Sequence, residues 1–411
     1  VTRHSRAHRR TATLSMWRYT PVLNVCVQLL LSCLLGLIAA VTGVVKPKDR
    51  AALQLFVFHF SLPLLVLRGV VTRVDFYDQT LYPFVGIFLV LRALALLVSL
   101  VVVSVQTASC GNTRVHPVQD NARHDEEPTH TKYSKICEIW LGLSWMSTVV
   151  IGLPVLTAAL RDETLAVKFS LQAAISSFIF QLPGVLVLLE THAEETNETQ
   201  SRNSREGKNV LRRVCIRLAR NPVLWAIVCG IVLSMTHTGT WFNTTRTFQF
   251  LINTAQSFGQ CVTPIGMFVT GAWIGHRKFP GNTDRVETRS LSRGDGPLFE
   301  QGPDSESGPS SETHTSRGTN ISIIRVVSIA AVLLGKILVL PFIALWLARI
   351  LNLSKDETYA ATLVASLPVS VAGVVVTERH GAPSALVAAQ VMCGIALLLP
   401  TTLVWCVVLD V

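Results

Sequence analysis

The chain has 411 residues, of which 50% are hydrophobic and only 15% charged, with a formal charge of +10. A soluble globular chain carries roughly 25% charged residues. Here the apolar residues also gather into blocks of about 20, the length a helix needs to cross a hydrocarbon core about 30 Å thick. That excludes an ordinary soluble domain. The positive charge reads as a cytoplasmic loop bias rather than a nucleic-acid footprint, so no nucleic-acid partner is expected.

Residues 1–20 form a basic N-terminal tail (Arg3, Arg6, Arg9, Arg10). The apolar run that follows is long enough to span and carries no small-residue cleavage site, which argues against a signal peptide. In lipid a spanning segment must satisfy its own backbone hydrogen bonds, so these blocks are helices. The pattern predicts ten of them, at about 21–45, 51–72, 80–106, 136–160, 165–190, 222–240, 246–275, 321–351, 358–378 and 383–410. The fold class is therefore an all-α membrane protein. Residues 21–190 make a first five-helix repeat and residues 191–221 a cytoplasmic linker. Residues 222–411 make a second five-helix repeat carrying a disordered loop, 276–320, rich in Gly, Ser, Pro and Arg. The polar stretch 107–135 is too short to fold alone.

Within the linker, residues 210–220 place Leu211, Val214, Cys215 and Leu218 on one helical face and Arg213, Arg217 and Arg220 on another. This suits an interfacial helix on an anionic membrane lipid leaflet, or a basic extension of span six. Orientation follows from Lys and Arg. With the N-terminus outside, inner loops hold clusters such as Lys46, Lys48 and Arg50, whereas outer loops hold only Arg73, Arg161, Arg246 and Lys355. Both termini are thus expected on the non-cytoplasmic side. The nine cysteines are scattered through apolar runs with no CxxC pair, so no metal or disulfide role is read into them.

The two halves echo each other. Helix breaks are expected at Pro63 in span two and Pro264 in span seven. Span four carries Gly152-Leu153-Pro154 and span nine Ser366-Leu367-Pro368. With five spans per half, the second half must be inverted, and inverted repeats with broken helices meeting at the midplane mark secondary transporters. A proline removes one backbone donor. In lipid the freed carbonyls must then face protein, water or a ligand. The half-helix N-termini left behind carry partial positive charge suited to an anionic solute. Candidate solute contacts are Ser147, Gly152, Pro154, Ser366, Leu367, Pro368 and Ser370. Arg92 in span three and Lys336 in span eight are charge-supporting candidates. A cation at mid-span either faces the bundle for a purpose or snorkels to an interface.

FVFHFSLPLLV (56–66), STVVIGLPVL (147–156), ARNPVLWAIVCGIVLS (219–234), TPIGMFVTGAWI (263–274), LGKILVLPFIAL (334–345) and ATLVASLPVSVAGVVVTERHGA (361–382) together resemble successive helices of the auxin efflux carrier family of PIN-like membrane transport proteins. The resemblance implies a 5+5 inverted-repeat fold, as in bile-acid carriers. It also implies a crossover of broken helices four and nine at the solute site, and a homodimer. The chain departs from the family at Ser147, where the fourth-helix motif has Asn, and at Tyr82, near an expected Lys. The short central loop suits a bacterial, fungal, endoplasmic-reticulum-type or protist branch, and the plasma membrane or the endoplasmic reticulum is the expected location.

Three functions compete. The leading reading is a carrier moving a small organic anion, auxin-like or a dicarboxylate, by alternating access. The second is a solute- or sterol-sensing receptor on the same fold. The third, an enzyme, finds no HExxH, no Ser/His/Asp set and no acidic metal cluster, and His59 is isolated; no catalytic residue, metal or cofactor is expected. A channel is the closest physical rival, but internal pseudo-symmetry favours a single-chain carrier.

Overall fold

The computed structural model describes residues 19–110, 131–200, 210–236, 245–276, 318–380, 382 and 384–410. The tail 1–18 and most of the loops 107–135 and 276–320 lie outside the described residues. Among those described, all regular structure is helical, and the single β feature is one antiparallel bridge, Met146 to Val369.

In chain order the helices are α1 (Thr20–Val41), α2 (Pro47–Arg73), α3 (Leu81–Cys110), α4 (Lys132–Ser144), α5 (Thr148–Leu160) and α6 (Glu163–Thr196). Then come α7 (Val210–Ala219), α8 (Pro222–Met235), α9 (Arg246–Gln260), α10 (Val262–His276) and α11 (Val326–Ile350). The last four are α12 (Lys355–Ser366), α13 (Val371–Arg379), α14 (Ala385–Ala396) and α15 (Leu398–Asp410). Five of them (α1, α2, α3, α6 and α11) are long and apolar enough to cross a membrane. Counting the bent pairs α7–α8 (67°) and α14–α15 (64°) as one span each raises the number to seven. The segments expected to be spans four, seven and nine are each built from two shorter helices, and span ten bends after Ala396.

Four Leu-Pro pairs share one local solution. A π turn of five residues precedes each: Val57–Ser61 before Pro63, Thr148–Gly152 before Pro154, Ser177–Gln181 before Pro183 and Gly335–Val339 before Pro341. A proline ring clashes with the carbonyl one turn back and lacks an N–H. A wide i→i+5 turn makes room for the ring and lets the helix continue. The break expected at Pro63 is therefore absent, and α2 runs unbroken from Pro47 to Arg73. Pro264 lies in the first turn of α10, where no intrahelical N–H bond exists to be lost. The interruption in that span is at Cys261, three residues earlier.

The start of the expected linker is also helical, because the acidic end of α6 finds basic partners on α7 (below). Elsewhere the closest packing is between α1 and α10. A Cβ added to Gly271 would sit 1.7 Å from the Cys33 carbonyl oxygen, and one on Gly36 would sit 1.9 Å from that of Phe268. Small residues let the two backbones touch, a common device between membrane helices. Trp140, Phe84, Phe88 and Leu91 are fully buried inside the bundle, while Leu31, Leu35, Val101 and Trp346 face outward as a lipid-exposed surface would.

Candidate functional site

The helix pairs α4–α5 and α12–α13 are both interrupted in mid-bundle, and the interruptions cross. Ser147 N–H donates to the Pro368 carbonyl (3.1 Å) and Ser370 N–H to the Trp145 carbonyl (3.0 Å). These two bonds flank the Met146–Val369 bridge. Each unwound strand thus satisfies part of the other's backbone, which is how irregular backbone survives at membrane depth.

The second half-helix on each side begins at a serine. The Ser370 hydroxyl accepts from Ala372 N–H (3.3 Å), an N-cap at the start of α13. Ser147 precedes the π turn of α5, and its carbonyl accepts from Ile151 and Gly152 N–H (3.2 and 2.9 Å), but its hydroxyl caps nothing. The first half-helices end at serines too. Ser144 Oγ donates to the Trp140 carbonyl and Ser366 Oγ to that of Leu363. Two N-termini therefore face the crossing, each contributing about half a positive charge.

Behind the crossing sit the two mid-span cations, and neither snorkels. Arg92 is fully buried. Its Nε donates to Gln181 Oε1 (3.1 Å), and its terminal nitrogens donate to Ser176, Ser177 and the Ala173 carbonyl, all from α6. Gln181 Nε2 in turn donates to Ser144 Oγ (2.6 Å), so the guanidinium is wired to the C-terminal end of α4, where a cation is favourable. Trp140 Nε1 fixes the Arg92 backbone carbonyl (3.0 Å). Lys336 is equally buried, inside the π turn of α11, but among the described residues its Nζ has no hydrogen-bond partner.

A cavity of about 670 Å³ opens on one side of the crossing. Trp145, Ser147, Thr148 and Ser370 line its deep end, and Phe58, His59, Phe178 and Val376 line its walls. Arg217, Arg220, Arg379 and His380 form its polar rim, and among the described residues no carboxylate lines it. Ser177, whose hydroxyl accepts from Arg92, is also among its lining residues.

The rim is organised from α6. Glu190, 2% exposed, takes Arg213 Nε (3.1 Å) and Arg217 Nη1 (2.7 Å), while Glu194 takes the other end of Arg213. Arg217 also donates to His380 Nε2, and His380 Nδ1 donates to the Val376 carbonyl (2.7 Å). Burial, with the positive charge of Arg217 adding to it, lowers the His380 pKa below the ordinary imidazole value.

Of the sequence-derived candidates, Ser147 and Ser370 line the cavity. Gly152 and Pro154 do not. Gly152 packs beside the Leu367 side chain, and Ser366 and Pro368 line a smaller void on the far face of the crossing. Sequence reasoning missed Trp145, Gln181 and the Arg217–His380–Glu190 rim. Gln181 carried one usable signal, an amide in an apolar span four residues from Ser177.

Backbone left open in mid-bundle and facing an accessible cavity is the arrangement of integral membrane proteins that pass solutes. The chain belongs to the membrane transport protein family, whose sequence model matches residues 143–406, from the end of α4 through both interruptions. It is thus a membrane transporter. No individual curated protein matches the chain at a significant level.

Proposed function

We propose that the protein is a secondary carrier for a small organic anion, auxin-like or a dicarboxylate, working by alternating access. Ten spans in two inverted halves of five would carry the two crossing interruptions. The observation that supports this most is the cavity itself. It is rimmed by Arg217, Arg220 and Arg379, lined by no carboxylate among the described residues, and ends at Ser147 and Ser370, where two half-helices begin. A solute with a carboxylate and an apolar body would meet cations at the rim, aromatic and aliphatic walls, and N–H groups and hydroxyls at the end. Loop charge bias puts this rim on the cytoplasmic side and both termini outside, so the described state is read as inward-facing.

Uptake into proteoliposomes of radiolabelled indole-3-acetate, malate, a bile acid and a sterol tests the reading. Saturable flux of one anion, lost when Ser147 and Ser370 are both changed to Ala, is the expected result. Tight binding without flux would replace the carrier with a sensor.

A further inference from the structure

We propose that the void behind the ninth-helix interruption is a binding site for one inorganic anion of halide size, held by Lys336 and Gln390. The void measures about 10 Å³ and is bounded by Gly142 of α4, Lys336 of α11, Ser366 and Pro368 at the interruption, and Gln390 and Gly394 of α14. That is room for one water-sized particle. It shares no lining residue with the large cavity, and the crossing strands lie between them.

Among the described residues, two buried side chains at this void have nothing to bond to. Lys336 Nζ and both amide atoms of Gln390 lack partners, at 2% and 1% exposure. Buried polar atoms are almost always paired, and two unpaired donors beside one void call for an occupant. The amide reaches the void because residue 142 is glycine: a Cβ there would lie 2.0 Å from Gln390 Oε1.

Charge selects the occupant. No carboxylate among the described residues pairs with Lys336, and the charged group acting on it is Arg92, also a cation. The C-terminal end of α12 at Ser366 offsets about half a charge. Arg92 cannot relieve Lys336, because a guanidinium is itself a cation and has no acceptor. A water would satisfy hydrogen bonds and leave the charge. A halide offsets the charge and accepts from the ammonium and from the Gln390 N–H, leaving only Gln390 Oε1 without a donor, and so joins α11, α14 and the strand at Pro368.

Thermal unfolding of the full chain in detergent tests this without measuring transport, so its outcome does not depend on the carrier reading. Chloride and bromide are titrated against gluconate and sulfate at matched ionic strength. A saturable rise in Tm of about 2 °C with the halides alone is expected, absent in Lys336→Met. Gln390→Leu, which keeps the cation, should raise the halide concentration for half the shift about tenfold. Equal Tm in every salt, a sulfate effect as large as that of chloride, or a halide shift retained in Lys336→Met would overturn the site. If Lys336→Met does not fold, an unchanged midpoint in Gln390→Leu overturns it.

Discussion

The two interruptions that cross at the centre of this protein reach one topology by different means. In the first, the unwound residues are Trp145 to Ser147 and contain no proline; Pro154 lies seven residues on, inside α5, where a π turn absorbs it. In the second, Pro368 is itself in the unwound strand, next to Leu367 in extended geometry (φ −62°, ψ 147°). The cations behind them differ as well. Arg92 is fully bonded to α6, whereas Lys336 Nζ has no hydrogen-bond partner among the described residues. The first interruption is thus held open by its tertiary neighbours, and the second by covalent geometry.

Exchanging the two cations for methionine should break this comparison most visibly. Arg92→Met leaves Gln181, Ser176 and Ser177 without their donor and should cost about 3 kcal/mol of stability, as losing one member of a buried charged network does. Lys336→Met, measured without halide by thermal unfolding, should cost nothing or stabilise, since it removes a buried charge with no partner. Equal losses for both would mean that Lys336 has a protein partner after all.

The prolines come next. Pro368→Ala restores an N–H and removes a ring worth about 3 kcal/mol against helix, so α12 should tend to rewind. Proteoliposome flux should fall about tenfold, which needs only about 1.4 kcal/mol of that. Pro154→Ala should change flux no more than about twofold, or roughly 0.4 kcal/mol. The reverse order would show that the first break depends on its proline.

The serines should differ by less. Ser370→Ala removes an N-cap and should lower stability by about 1 kcal/mol. Ser147→Ala removes no cap bond and should leave Tm unchanged while weakening solute binding.

The smallest effect concerns the far ends of the second half-helices. α13 ends at His380, pinned by Arg217 beside Glu190 and Arg379, whereas α5 ends at Arg161 in the left-handed region (φ 57°). Because the His380 pKa is lowered in the fold, the unfolded chain binds the proton first as pH drops. The contribution is present above about pH 6.5 and is lost as pH falls towards the folded value. Unfolding scans between pH 7.5 and 5.5 should show a decline that His380→Gln makes shallower.

Much of this was legible from residue pattern alone. The long apolar runs gave α1, α2, α3, α6 and α11 within a few residues, and the mid-span cations Arg92 and Lys336 stood out because charge is scarce there. The position of the first interruption did not. Gly152-Leu153-Pro154 and Ser366-Leu367-Pro368 look alike as strings, yet one passes through a π turn and the other unwinds. What decides is pairing with a strand more than 200 residues away. The rim was illegible for the same reason, since Glu190, Arg217 and His380 belong to three helices. Gln390 looked like one polar residue in an apolar helix, and only the void opposite Gly142 gives it meaning.

The π turns carry one more consequence. Each holds one residue more than an α turn, and one residue on a helix is a rotation of about 100°. A related chain lacking one residue just before Pro63, Pro154, Pro183 or Pro341 would keep its proline and its downstream helix but swing the upstream half by that angle. Side chains now facing lipid would turn toward the cavity. Single-residue gaps at these four points are where a change of solute is expected to arise without a change of fold.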